Sequence, residues 1–148
     1  MNIQWYPGHM TKTRRQIEAD LKLVDVVVEI IDARIPVSSR NPDIDAICAG
    51  KPRLIVLNRA DQADPVQNKA WGACFRGQGH SVLETDARSG RGINQFSAVV
   101  QGVLRDQIAK WREKGQVGRP VRAMVVGVPN VGKSTFINKV AKKKSAKA

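Results

Sequence analysis

Gly127, Gly132, Lys133 and Ser134 stand at the spacing G-x-x-x-x-G-K-S in the run Gly127-Val128-Pro129-Asn130-Val131-Gly132-Lys133-Ser134. Each part of that pattern does a separate piece of phosphate chemistry. The glycines let backbone N–H groups turn inward onto phosphate oxygens, and a helix starting just beyond adds the partial positive charge of its N-terminus. Asn130, Val131 and Gly132 then lie along the phosphates. Lys133 reaches the β and γ phosphates, the Ser134 hydroxyl is a Mg²⁺ ligand, and Thr135 is placed to touch the α-phosphate. The apolar stretch 121–126 in front of the loop reads as a buried strand, so the loop has the strand-to-helix setting that the chemistry needs. It comes late in the chain, after most of an α/β pattern has already been written.

A phosphate loop does not choose a base. Upstream, Arg53-Leu54-Ile55-Val56-Leu57 is an apolar, β-branched run that ends in Asn58-Arg59-Ala60-Asp61, which resembles the N-K-x-D segment by which GTPases select guanine. The resemblance implies that the Asp61 carboxylate pairs with the N1 and N2 donors of guanine and that Asn58 ties the base segment to the phosphate loop. Arg59 stands where Lys is usual, and its stem can still lie along the base. Taken alone, this run reads first as a strand-to-loop turn with Asp61 capping something local. A third apolar run, residues 81–85, ends in Asp86-Ala87-Arg88-Ser89-Gly90, similar to the S-A-K-x-G segment that backs guanine. Asp86 replaces the usual Ser, which leaves the backbone N–H of Ala87 as the group to meet guanine O6.

The order of these segments, base, base-backing, then phosphate loop, is the reverse of that in conventional GTPases. The chain therefore resembles the circularly permuted GTPases, most closely those that assemble the large ribosomal subunit. Trp5-Tyr6-Pro7-Gly8-His9-Met10 and Asp32-Ala33-Arg34-Ile35-Pro36 also fit, and the likeness runs over essentially the whole chain. It implies GTP and GDP as ligands, Mg²⁺ as cofactor, GTP hydrolysis as activity, and precursor large subunits with their ribosomal RNA as partners; DNA is not expected. His9 is a candidate for orienting the attacking water, against a plain role in capping the first helix or touching RNA. Asn130 is a candidate for potassium-assisted hydrolysis, the ion neutralising phosphate charge. Members of the family continue into a threonine-bearing switch, a D-x-P-G segment and a helical C-terminal domain. Nothing after Lys144 resembles these, so residues 1–148 are expected to be an incomplete circularly permuted GTPase domain that binds nucleotide and hydrolyses little by itself.

The elements that must position these residues alternate. Helices are expected over 10–24, 43–49, 65–75, 93–113 and 135–144, and strands over 25–32, 54–58, 81–85 and 121–126. The expected class is α/β: a P-loop NTPase-type three-layer sandwich on a mostly parallel sheet, circularly permuted. With four strands the phosphate-loop strand would lie at an unprotected sheet edge. At 148 residues and 42% hydrophobic content the chain is long enough for a core. It has no apolar run of the ~18 residues needed to span a membrane and no signal peptide, which points to the cytoplasm. Cys48 and Cys74 have no metal-ligand spacing and read as core thiols.

The net charge of +12 is uneven. Residues 1–99 hold 13 basic and 11 acidic side chains, net +2, while residues 100–148 hold 12 and 2, net +10. Either this is a solvated basic surface or it faces RNA phosphates. The tryptophans Trp5, Trp71 and Trp111 could stack on bases, although packing is the commoner use. Two other function classes stay open: a basic RNA-binding module with a vestigial nucleotide site, and a P-loop ATPase or small-molecule kinase in which Asp61 has no role.

Overall fold

Among the described residues five strands form the sheet, one more than the sequence pattern predicts. The computed structural model describes residues 3–8, 14–116, 118–128 and 131–147. In chain order the elements are β1 (Ile3–Gly8), α1 (Arg14–Leu21), β2 (Val26–Asp32), α2 (Ile44–Ile47), β3 (Arg53–Asn58), a 3-10 turn (Ala60–Gln62), α3 (Pro65–Gly77), β4 (Ser81–Glu84), α4 (Ile93–Val103), α5 (Arg105–Glu113), β5 (Val121–Val126) and α6 (Lys133–Lys147). The sheet order is β1-β5-β2-β3-β4, with every pairing parallel.

The extra strand corrects the expectation of an exposed phosphate-loop strand. β1 pairs along β5 from Ile3 opposite Val121 to Gly8 opposite Val126, so β5 lies inside the sheet between β1 and β2. Ile3 and Trp5, two residues apart, face the same side, and both pack on the main core. The Trp5 ring stacks on Phe96 at 5.8 Å between centroids and meets Phe136 edge-on at 6.5 Å. Pro7 reads as a strand breaker, yet an edge strand tolerates it.

Alternation along the strands builds two faces. Val26, Val28 and Ile30 of β2 join Leu54 and Val56 of β3 and Val121, Ala123 and Val125 of β5 under α4 and α6, where Phe96, Val100 and Phe136 close the core. On the opposite face Val27, Met124 and Val126 meet Ile17 and Leu21 of α1 and Ile44 of α2. There too, Ile31, Ile55 and Leu57 pack on Phe75 of α3. The result is a three-layer α/β sandwich with the carboxyl ends of β3, β4 and β5 at one end of the sheet.

The expected helix over 93–113 is two helices. Leu104 leaves helical geometry (φ −103°, ψ 16°), yet the N–H of Leu104 bonds Val100 O at 3.0 Å and the N–H of Ile108 bonds Leu104 O at 2.8 Å. Gly102, a poor helix former, weakens the run just before the break. The bend turns Leu104 into the core, while α5 buries none of its residues. α3 begins as its sequence indicates, with Asp64 accepting the Val66 N–H at 2.9 Å and Pro65 in the first turn. Cys48 is buried, and burial pushes its thiol pKa up. Cys74 is exposed on α3, because Asn68, Gly72 and Phe75 take the helix's inner stripe; its reading as a core thiol is corrected. Among the described residues no helix is long and apolar enough to cross a membrane.

Candidate nucleotide-binding site

Asn58, the last residue of β3, is 2% exposed and uses its whole amide. Its Nδ2 donates to Val131 O in the phosphate loop at 2.9 Å. Its Oδ1 accepts from Thr85 Oγ1 at 3.1 Å and from the Ala87 N–H at 2.9 Å. One buried side chain thus joins the ends of β3 and β4 to the loop after β5, three chain segments far apart in sequence. The base segments are also laced by backbone bonds, from Ala60 N–H to Thr85 O and from Thr85 N–H to Leu57 O, both 2.9 Å.

The loop glycines have specific reasons. Gly132 has φ +88°, and a Cβ there would stand 2.3 Å from Asn58 Nδ2. Only glycine combines that left-handed backbone with so close an approach. A Cβ at Gly127 would meet the Ile30 carbonyl at 3.0 Å. α6 follows directly, with the Phe136 N–H bonded to Gly132 O at 2.9 Å. Lys133 is half-buried in the first turn, with Ser134 and Thr135 exposed beside it. Among the described residues no group of three His, Cys, Asp or Glu side chains could hold a metal. The Ser134 hydroxyl, exposed in the first turn of α6, is the kind of oxygen donor that Mg²⁺ takes, and nucleotide phosphates and water could supply the other oxygens.

Between the loop and the base segments lies a cavity of about 480 Å³ lined by Asn58, Arg59, Asp86, Ala87, Gly132 and Thr135, together with Arg34, Gln62 and Arg88. Three arginines around one hollow suit an anionic ligand. Arg34 and Gln62 carried no role in the sequence reading. The signal for Arg34 was the Asp32-Ala33-Arg34-Ile35-Pro36 segment, whose geometry is now explicit. Asp32, buried at the end of β2, takes Arg34 through Nε and Nη2 at 3.0 and 2.7 Å, and Arg59 Nη1 at 2.8 Å. Arg59 itself is left-handed, φ 59°, and its guanidinium is committed to Asp32. Two further residues sit differently from the motif reading. The Ala87 N–H, assigned to guanine O6, donates to Asn58 in this structure. Asp61 does not line the cavity, and its carboxylate is paired with Arg91 Nη1. His9 and Asn130 lie outside the described residues.

Asp32 also makes the site sensitive to acid. Burial alone would raise its pKa, but hydrogen bonds and charge from Arg34, with Arg59 behind them, hold it below the ordinary 3.8. A depressed carboxylate stabilises the fold above the unfolded-state value and loses that stabilisation as pH falls through the folded-state value. Thermal melting followed from about pH 5 down to pH 3 is expected to fall more steeply for the natural chain than for Asp32→Asn, which starts less stable at neutral pH. Parallel slopes would rule Asp32 out as a contributor.

Residues 122–148 match the family described as 50S ribosome-binding GTPase. Along 99% of its length the chain is 51% identical to ribosome biogenesis GTPase A of Bacillus cereus, of which it covers 50%. It is similar to the GDP-bound structure of YlqF from Thermotoga maritima, with a TM-score of 0.62 and 36% identity over 87% of this chain and 48% of that one. The GNP-bound form gives 0.61 and 35% over 86% and 46%. The chain thus spans about half the length of the relatives it matches.

Proposed function

We propose, from the premise that the chain belongs to the family of ribosome biogenesis GTPase A, that it is the nucleotide-binding part of a GTP-hydrolysing factor for assembly of the large ribosomal subunit. The nucleotide state would time its association with precursor particles. The observation that carries this reading is the Asn58 amide bonded to both the phosphate loop and the base-backing segment. A P-loop that ignores the base has no need of that tie. Guanine would lie beside Asp61 and the segment from Asn58 to Ala87, with the phosphates along residues 130–135. Mg²⁺, when bound, neutralises phosphate charge as the leaving group departs. Lys133 and the start of α6 hold the phosphates by charge and N–H donors. His9 and the potassium role of Asn130 rest on the family resemblance, and a cytoplasmic setting on the sequence pattern.

A titration of the 148-residue chain with fluorescent GDP, competed by unlabelled GTP or ATP, tests this. GTP is expected to compete far better than ATP. Lys133→Ala and Asp61→Asn should each weaken GDP binding about 10- to 100-fold, the range for a lost hydrogen bond to a charged partner. Equal competition by ATP would sink the guanine reading.

Ribosomal RNA as partner is supported by a second hollow, at the opposite end of the sheet near the start of β5. About 760 Å³ in volume, it is lined by Arg105, Arg112 and Arg119 together with Trp111. The Arg119 guanidinium lies 4.1 Å from the Trp111 ring centroid. That contact, with Trp5 on Phe96 and Trp71 on Phe75 at 5.9 Å, uses the tryptophans in packing. The charge of the arginines, not stacking, is what favours RNA here: Arg105, Arg112 and Arg119 can draw phosphate by counterion release, with binding that weakens steeply in salt.

A further inference from the structure

The residue that holds Asp61 in this structure carries the same chemical group that Asp61 is proposed to read. The N1–C2–N2 edge of guanine is a planar guanidine fragment presenting N–H donors, and so is the arginine side chain. Arg91 Nη1 is bonded to Asp61 Oδ1 across a sequence separation of 30, where a guanine edge would otherwise pair. The carboxylate so engaged is absent from the lining of the cavity to which the other base-segment residues contribute. A second acceptor waits on the same arginine: Arg91 Nη2 lies 3.9 Å from Glu84 Oε1 at the end of β4. All three side chains are between about a third and a half exposed, at 50% for Arg91, 42% for Asp61 and 37% for Glu84, so exchange between partners requires no opening of the core. The segment that carries Arg91 is pinned beside it. The Asp86 N–H bonds Arg91 O at 3.0 Å, and a Cβ on Gly92, φ +81°, would run into the Glu84 carbonyl at 2.4 Å.

We propose that Arg91 is an internal stand-in for guanine, a latch that occupies Asp61 in the empty site and moves onto Glu84 when the base arrives. The proposal rests on the reading of Asp61 as the guanine-selecting carboxylate and adds what regulates it. Every guanine that binds must displace a guanidinium, so Arg91 lowers affinity while Glu84 raises it by giving the displaced charge a place to go. Substitution of the two residues therefore shifts affinity in opposite directions.

Fluorescent GDP titrated into the 148-residue chain and its variants reads this out. Arg91→Ala is expected to tighten GDP about two- to five-fold, the fold-change equivalent of one exposed ion pair. Glu84→Gln should weaken it by about two-fold. In an Asp61→Asn background, read with xanthosine diphosphate, whose C2 carbonyl suits an amide donor, Arg91→Ala should have no effect because no carboxylate is left to latch. Weaker GDP binding by Arg91→Ala would overturn the latch and make Arg91 a ligand of the nucleotide. Unchanged affinity, or a gain that persists without Asp61, would overturn it too. A natural chain that binds no GDP at all overturns the guanine reading first, and the latch with it.

Discussion

Asn58→Ala is expected to lower folding stability by about 3 kcal/mol or more and to remove nucleotide binding from whatever remains folded. The side chain is 2% exposed and serves the Val131 carbonyl, the Thr85 hydroxyl and the Ala87 N–H. Truncation leaves two backbone groups buried without partners, at about 1–3 kcal/mol each. Asn58→Asp keeps the acceptor but sets a carboxylate against the Val131 carbonyl, so it is expected to fare no better. Urea denaturation gives the loss directly, and an unchanged slope with a lower midpoint would mark it as a stability effect. Gly132→Ala should resemble it, since its Cβ would lie 2.3 Å from Asn58 Nδ2 on a backbone with φ +88°. The pair provides a stricter check. In the Asn58→Ala background the clash is gone and only the left-handed strain of about 1–2 kcal/mol remains, so the two substitutions should be markedly less than additive. Simple additivity would mean that the phosphate loop and the base segment do not lean on each other.

The second large effect lies away from the nucleotide. Glu29, in the middle of β2 and 2% exposed, receives Arg40 through Nε at 2.7 Å and Nη2 at 3.0 Å, and approaches Arg53 Nη1 at 3.4 Å. Asp45 completes the group, accepting from Arg40 Nη2 at 2.8 Å and from Arg53 Nη1 at 2.5 Å. Glu29→Ala removes the inner acid and leaves Arg53, itself 4% exposed, short of its buried counter-charge. Breaking one side of such a group costs about 3–5 kcal/mol, because an uncompensated charge stays buried. Thermal or urea melting is expected to show that loss, with GDP affinity of the folded fraction within about two-fold of the natural chain, since Asn58, Lys133 and Asp61 keep their surroundings. A loss below about 1 kcal/mol would mean that Arg40 and Arg53 find water instead.

How far the sequence led depended on the range of the interactions. The strand before the phosphate loop and the run ending at Asn58 are local patterns, and both strands stand where those patterns placed them, within a residue at each end. β1 was not legible. Six residues with Pro7 among them make no secure alternation, and what fixes the strand is the placement of Trp5 on Phe96, 91 positions along. The break at Leu104 was hidden because apolar spacing continues across it, while the burial that stops there is a property of the packed sheet. At the site, the bond from Asn58 to Val131 lies where the motif reading expects a tie. Arg91 on Asp61 and Arg59 on Asp32 came from no motif: opposite charges 30 or 27 residues apart are common in any charged sequence, and only the fold chooses among them.

β5 lies between β1 and β2 although it follows every other described strand in the chain, and that order bears on how these strands come off a ribosome. Ile3 pairs with Val121, 118 residues later, and Val26 with Ala123. Among the described strands, β1 has no neighbour and β2 is an edge until β5 emerges. At roughly 5–20 residues per second, the first strand waits on the order of ten seconds for its partner. Such pairings are also the slow kind, because loop closure must precede any gain from contact. During synthesis the segment carrying Trp5 is therefore an unpaired, aromatic strand in search of a sheet, and a chaperone that covers it on the ribosome should raise the yield of folded chain more than one that acts after release.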